Sequence, residues 1–222
     1  MSASAADVLR IVESTGVVAV IRLADSAGLI AAAHALADGG VRALEVTMTV
    51  PGAVALIREL AASLPAEFAV GAGTVLDGET ARQVIEAGAR FIVSPVLRPD
   101  VIATAHRYGA AVMPGCFTPT EILSAWEAGA DIVKVFPATA LGPGFFNDIR
   151  APLPHVRLMP TGGVTRDNAG DWIRAGAVAI GVGTALVDRR AVAARQFDTI
   201  SANARHFIEA VRVARSGATT GV

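Results

Sequence analysis

One short phrase recurs along the chain: "EAGARFIVSP" at 86–95, "EAGADIVKVFP" at 127–137 and "RAGAVAIGVG" at 174–183. Fainter copies are "STGVVAVIR" at 14–22, "DGGVRALEVT" at 38–47 and "RYGAAVMPG" at 107–115. Each reads as a helix that stops on glycine, followed at once by a short apolar run. Glycine suits the left-handed position that ends a helix. A short run rich in Val and Ile suits a parallel strand buried on both faces. The repeat glycines fall at 16, 40, 88, 109, 129 and 176, at intervals of 20 to 24 residues apart from two of 47 and 48. Each long interval holds one further unit, "LPAEFAVGAG" at 64–73 and "LPHVRLMP" at 153–160, where proline breaks the helix instead.

Eight strand–helix units in 222 residues predict an α/β protein with a (β/α)8 TIM barrel, one domain over 1–222. The competing architecture is an open doubly wound sheet, which usually has fewer strands. Strands are expected near 17–21, 43–47, 68–71, 90–93, 110–113, 131–135, 157–160 and 178–181. A first helix is expected at about 3–14 and a last one at about 191–215, ahead of a frayed "SGATTGV" tail. Hydrophobic residues make up 53% of the chain and aromatics 5%, so the core is aliphatic.

A net charge of −1 gives no electrostatic reason to bind nucleic acid or an acidic membrane. The most apolar stretch, "AGLIAAAHALA" at 27–37, is too short to span a bilayer and contains His34. The first residues hold Asp7 and Glu13 and lack the basic start of a signal peptide. A single cysteine, Cys116, allows no internal disulfide and fits a reducing compartment. A cytoplasmic protein is expected.

In a barrel the chemistry sits at the C-terminal ends of the strands. Those ends carry Arg22, Glu45, Thr47, Thr49, "GAGT" at 71–74, Lys134, Phe136, "TGG" at 161–163 and "GVGT" at 181–184. Lys134 is the only lysine in the chain, and it stands inside an apolar run. Burial disfavours an ammonium ion, and an uncharged amine attacks carbonyls to form a Schiff base. The plainer alternative is a strand-end lysine that reaches solvent or pairs with Glu45. Glu45, in "ALEVTMT", fits a general acid/base; a structural ion pair with Lys134 is its alternative. Gly162, Gly163, Gly183 and Thr184 lie in the last two strand–helix loops, where barrels often hold phosphate on backbone N–H groups; tight turns alone would also use glycine. Arg22 could grip a carboxylate through its planar fork, with Thr74 adding a hydroxyl, or it could simply be solvated.

None of the four histidines has ligand spacing to another, so no metal is expected. Cys116 has no neighbouring base and reads as a packing residue. The "GxG" pieces lack a complete dinucleotide fingerprint. No cofactor is expected.

Taken together, "LEVTMTVP", "VGAGTV", "FIVSPVL", "PGCFTPTE", "VKVFPA", "MPTGGV" and "GVGTALV", in that order between 17 and 187, resemble the 2-keto-3-deoxy-6-phosphogluconate (KDPG) aldolases. These class I enzymes also cleave 4-hydroxy-2-oxoglutarate (KHG). The resemblance implies that Lys134 forms the Schiff base with pyruvate or its aldol and that Glu45 is the acid/base, acting through water. It further implies that Thr74 lies by the pyruvyl carboxylate, that Phe136 packs beside the Schiff base, and that Gly162, Gly163, Gly183 and Thr184 hold phosphate. Some members place a carboxylate-binding arginine where Thr49 stands in this chain; others have one after the first strand, where Arg22 stands. Thr161 before the two glycines resembles the gluconate-type members, whereas galactonate-type relatives tend to have an apolar residue there. The implied partners are pyruvate and a phosphorylated keto acid, and the implied assembly is a homotrimer. A galactonate-type aldolase, a non-covalent sugar-phosphate isomerase or epimerase, and a sugar-phosphate sensor remain as alternatives.

Overall fold

The computed structural model describes residues 4–23 and 26–217. Position 3 of the expected first helix and positions 218–222 of the expected frayed tail lie outside the described residues. Nine strands form: β1 (Val17–Ile21), β2 (Ala43–Thr47), β3 (Ala69–Gly73), β4 (Phe91–Val93), β5 (Ala111–Met113), β6 (Gly115–Cys116), β7 (Val133–Val135), β8 (Leu158–Pro160) and β9 (Ile180–Val182). All six repeat glycines have φ between +67° and +110°, the region open to glycine at little cost. This is why the helix-to-strand turn could be read from the sequence.

Every strand pairing is parallel. The ladders form two sections, a six-stranded sheet in the order β5-β4-β3-β2-β1-β9 and a three-stranded sheet β6-β7-β8. The expected closed eight-stranded ladder is therefore met only in part. Pro114 causes one interruption. It has no N–H to donate and splits the fifth unit into β5 and β6. Around it, the Asp131 N–H donates to the Val112 carbonyl at 3.0 Å and the Lys134 N–H to the Pro114 carbonyl at 2.9 Å. At the other seam, the Val178 N–H donates to the Leu158 carbonyl at 3.0 Å, and Thr161 forms a single bridge with Gly181.

The helices are α1 (Ala5–Thr15), α2 (Ser26–Asp38), α3 (Ala53–Ser63), α4 (Gly78–Glu86), α5 (Pro99–Arg107), α6 (Pro119–Glu127), α7 (Gly144–Arg150), α8 (Ala169–Arg174), α9 (Arg189–Ala193) and α10 (Phe197–Gly217). The last helix expected at 191–215 is two helices. Arg195 adopts φ +56° between them, a left-handed break with no glycine or proline to announce it. A capping box between Ser4 and Asp7 starts α1, and Gly16 ends it. Its buried Val8 and Val12 join the cluster that fills the inside of the strands, so α1 closes off their N-terminal end.

That inner cluster includes Val18, Ala43, Ala69, Phe91, Ile132, Met159 and Ala179. Phe91 is fully buried and supplies bulk that the alanines lack. Gly71 makes room for it: a Cβ there would lie 2.5 Å from ring carbons of Phe91. A separate, larger cluster joins the outer strand faces to the helices.

Candidate active site

Side chains alternate along a strand, so the position two beyond an inward residue also points inward. Two beyond Ala43, Ile132, Met159 and Ala179 stand Glu45, Lys134, Thr161 and Gly181. The layer above the apolar plug thus holds three of the buried polar side chains among the described residues. Glu45 is 1% exposed, Lys134 3% and Thr161 4%, although such residue types rarely sit in a core without partners.

Neither carboxyl oxygen of Glu45 has a hydrogen-bond partner among the described residues, and neither does the Thr161 hydroxyl. The structural ion pair between Glu45 and Lys134, one of the sequence alternatives, is not formed. Buried polar atoms left without a partner cost a few kcal/mol each, and Glu45 and Thr161 keep theirs free toward the interior of the strands. Backbone beside these groups is bare to make room for them. A Cβ on Gly73 would lie 1.8 Å from Glu45 Oε1, and one on Gly181 would lie 2.3 Å from Thr161 Oγ1. Both glycines therefore leave room for buried polar side chains. The sequence shows them only as parts of "GAG" and "GVG".

Lys134 Nζ lies 5.1 Å from the centroid of the Phe136 ring. Phe136, half-buried, in turn lines a cavity of about 240 Å3 with Arg22, Thr161, Gly162, Gly163, Gly183 and Thr184. The structure thus brings seven of the ten sequence-derived site residues to one cavity. Glu45, Lys134 and Thr74 do not line it. The first two stand in the layer beneath, and Thr74 follows Gly73 with φ +59°, an uncommon conformation for a β-branched residue. Thr49 stands apart from this cavity; its hydroxyl is 2.7 Å from that of Thr47. Gly162 and Gly163 have φ +90° and +73°, which turns the loop after β8 sharply over Thr139. Val20, Val164, Gly181 and Ala185 complete the cavity wall and were not singled out from the sequence.

Cys116 behaves as the packing residue expected. Its thiol donates to the Glu121 carbonyl at 3.3 Å, and burial pushes its pKa up to about 12. Thiolate, the reactive form, is then scarce at neutral pH. Iodoacetamide at pH 7 should leave the folded protein unmodified and alkylate it only on unfolding, as read by mass; rapid alkylation of folded protein would contradict this.

A family model described as KDPG and KHG aldolase matches residues 8–203. The chain belongs to the KDPG and KHG aldolase family. It is 34% identical to the 2-dehydro-3-deoxy-6-phosphogalactonate aldolase of Escherichia coli K12, over 81% of this chain and 86% of that protein. It is 37% identical to the KHG/KDPG aldolase of the same organism, over 82% of this chain and 85% of that one. Among solved structures, the KDPG aldolase of Legionella pneumophila, with pyruvate captured as a covalent carbinolamine, superposes with a TM-score of 0.83. That match has 26% identity and covers 89% of this chain and 96% of that one. The protein is an aldolase, a lyase of carbon–carbon bonds, and its family includes both gluconate- and galactonate-type enzymes. No helix of the described residues is long and apolar enough to cross a membrane.

Proposed function

We propose that the protein is a cytoplasmic class I aldolase whose preferred substrate is 2-keto-3-deoxy-6-phosphogluconate, cleaved to pyruvate and glyceraldehyde 3-phosphate. Cleavage of 4-hydroxy-2-oxoglutarate to pyruvate and glyoxylate is a second activity of the same site. The observation that carries this reading is the pair of buried, mutually unpaired groups, Lys134 and Glu45, in one inward-facing layer under a cavity rimmed by glycine loops. We take the two curled sheets as one (β/α)8 barrel, in a single domain, with this layer at its mouth.

The unprotonated Lys134 amine adds to the C2 ketone, and the carbinolamine loses water to give an iminium ion. Glu45, through a water molecule, takes the C4 hydroxyl proton. The C3–C4 bond breaks, the aldehyde leaves, and the bonding electrons fill a C2–C3 double bond, giving an enamine. Glu45 returns a proton to C3, and water hydrolyses the resulting iminium to pyruvate and free Lys134. The iminium formed on Lys134 is the electron sink, so the steps need no metal or organic cofactor. Phe136 covers the imine, and the N–H groups of Gly162, Gly163, Gly183 and Thr184 hold the phosphate. Arg22 replaces the arginine missing at Thr49 as the carboxylate ligand, with Thr74 beside it.

Thr161 supports the gluconate over the galactonate substrate. Its unpaired hydroxyl offers a hydrogen bond that an apolar residue could not, and a site built around such a bond discriminates strongly. The test is kcat/KM for the two C4-epimeric phosphorylated aldols. The gluconate epimer should be preferred, and Thr161→Val should reduce that preference by roughly tenfold or more. Preference for the galactonate epimer in the parent would reverse the assignment.

Homotrimer assembly is part of the proposal. Leu76, Val96 and Phe117 are large, exposed hydrophobics on three successive loops, after β3, β4 and β6, and would be covered in an oligomer. Light scattering should give the mass of three chains, and Phe117→Glu should shift it toward one. A monomeric parent would refute this.

A further inference from the structure

Arg22 is shared by three cavities. Besides the one that holds the glycine loops, a small void of about 20 Å3 is lined in part by Gly183, Thr184, Arg22 and Arg189. A third cavity of about 420 Å3 is lined by Arg22, Arg189 and Thr49 against an apolar wall that includes Leu23, Val50 and Val192. Arg189 is thus a second arginine at the loop after β9, next to the backbone assigned above to phosphate.

We propose that Arg189 is a specificity-determining residue of this aldolase site, its guanidinium binding the terminal anionic group of the aldol beside Gly183 and Thr184. This rests on the function proposed above. Three observations carry it. First, Arg189 has no hydrogen-bond or ion-pair partner among the described residues. Arg58, Arg107 and Arg205 likewise have no side-chain partner among the described residues, but none of them lines a cavity with Gly183 and Thr184. Second, the nearest acid in sequence is already committed: Asp188 accepts from the Arg190 N–H at 2.6 Å and the Ala191 N–H at 3.3 Å. Third, Arg189 lines one small void together with Gly183 and Thr184, the backbone assigned above to the phosphate. A planar guanidinium matches a phosphate with two parallel hydrogen bonds, which a lysine cannot reproduce.

The experiment compares full-length parent, Arg189→Ala and Arg189→Lys on 2-keto-3-deoxy-6-phosphogluconate and on the same aldol without its phosphate. For Arg189→Ala, the ratio of kcat/KM between phosphorylated and unphosphorylated substrate should fall about 10- to 100-fold, the worth of a charged hydrogen bond. The loss should appear mainly in KM, and Arg189→Lys should recover part of it. An unchanged ratio, including an equal loss on both substrates, overturns the proposal. Since the ratio compares two substrates on one protein, lower stability of a variant does not mimic the effect. A parent that cleaves neither aldol and fixes no pyruvate would instead sink the aldolase reading itself.

Discussion

Lys134→Ala should lower kcat for aldol cleavage by about 10⁴-fold or more, the scale on which enzymes lose activity with their nucleophile. The more telling variant is Lys134→Arg. A guanidinium keeps the positive charge but cannot shed a proton to become a nucleophile. If Lys134 served only as an electrostatic partner, as in a non-covalent isomerase, arginine would retain much of the rate. With Lys134 as the nucleophile, it retains none above the alanine variant. Steady-state assay of pyruvate release separates the two. Lys134 is buried between Val133 and Val135, so a thermal melt of each variant is needed to show that the fold survives.

The second large effect is expected from the smallest change. In Gly73→Ala one methyl group would lie 1.8 Å from Glu45 Oε1, 2.4 Å from Cδ and 2.6 Å from Cγ. Gly73 does not have positive φ, so alanine is not excluded by the backbone. The conflict is with the carboxylate, which must move out of the inner layer. kcat should fall by roughly 10²- to 10⁴-fold, the range associated with general acid–base catalysis. Pyruvate should still become attached to Lys134. A variant with parental kcat would show that the seat on Gly73 does not position Glu45. A variant that also loses its folded melt should be replaced by Glu45→Gln, which tests the same proton transfer without the steric conflict.

Much of this was legible in the sequence because it depended on local chemistry. The repeat glycines announced the helix-to-strand turns since their left-handed φ is a backbone requirement. Glu45 and Lys134 were singled out because they stand near the C-terminal ends of expected strands, where a barrel carries its chemistry. The unread features depend on contacts between distant segments. The demand on Gly73 and Gly181 comes from Glu45 and Thr161 on neighbouring strands. β3 runs on to Gly73, past the expected end at position 71, because its last residues still pair with Val46 and Thr47. Pro114 was visible, yet its effect, splitting the fifth unit and interrupting the ladder, depends on a missing N–H being opposite a partner strand. The break at Arg195 had no residue signature at all. Arg189 gave no signal either, since one arginine among many on the surface is distinguished only by what it faces.

The most direct measurement is reductive trapping. The protein is incubated with pyruvate, reduced with borohydride, digested and mapped by mass. Because Lys134 is the only lysine, the amine labelled is easily assigned. Schiff-base catalysis predicts one pyruvyl adduct, located on Lys134 and absent from Lys134→Ala. Folded protein that acquires no adduct, or acquires it elsewhere, would contradict Schiff-base catalysis by Lys134.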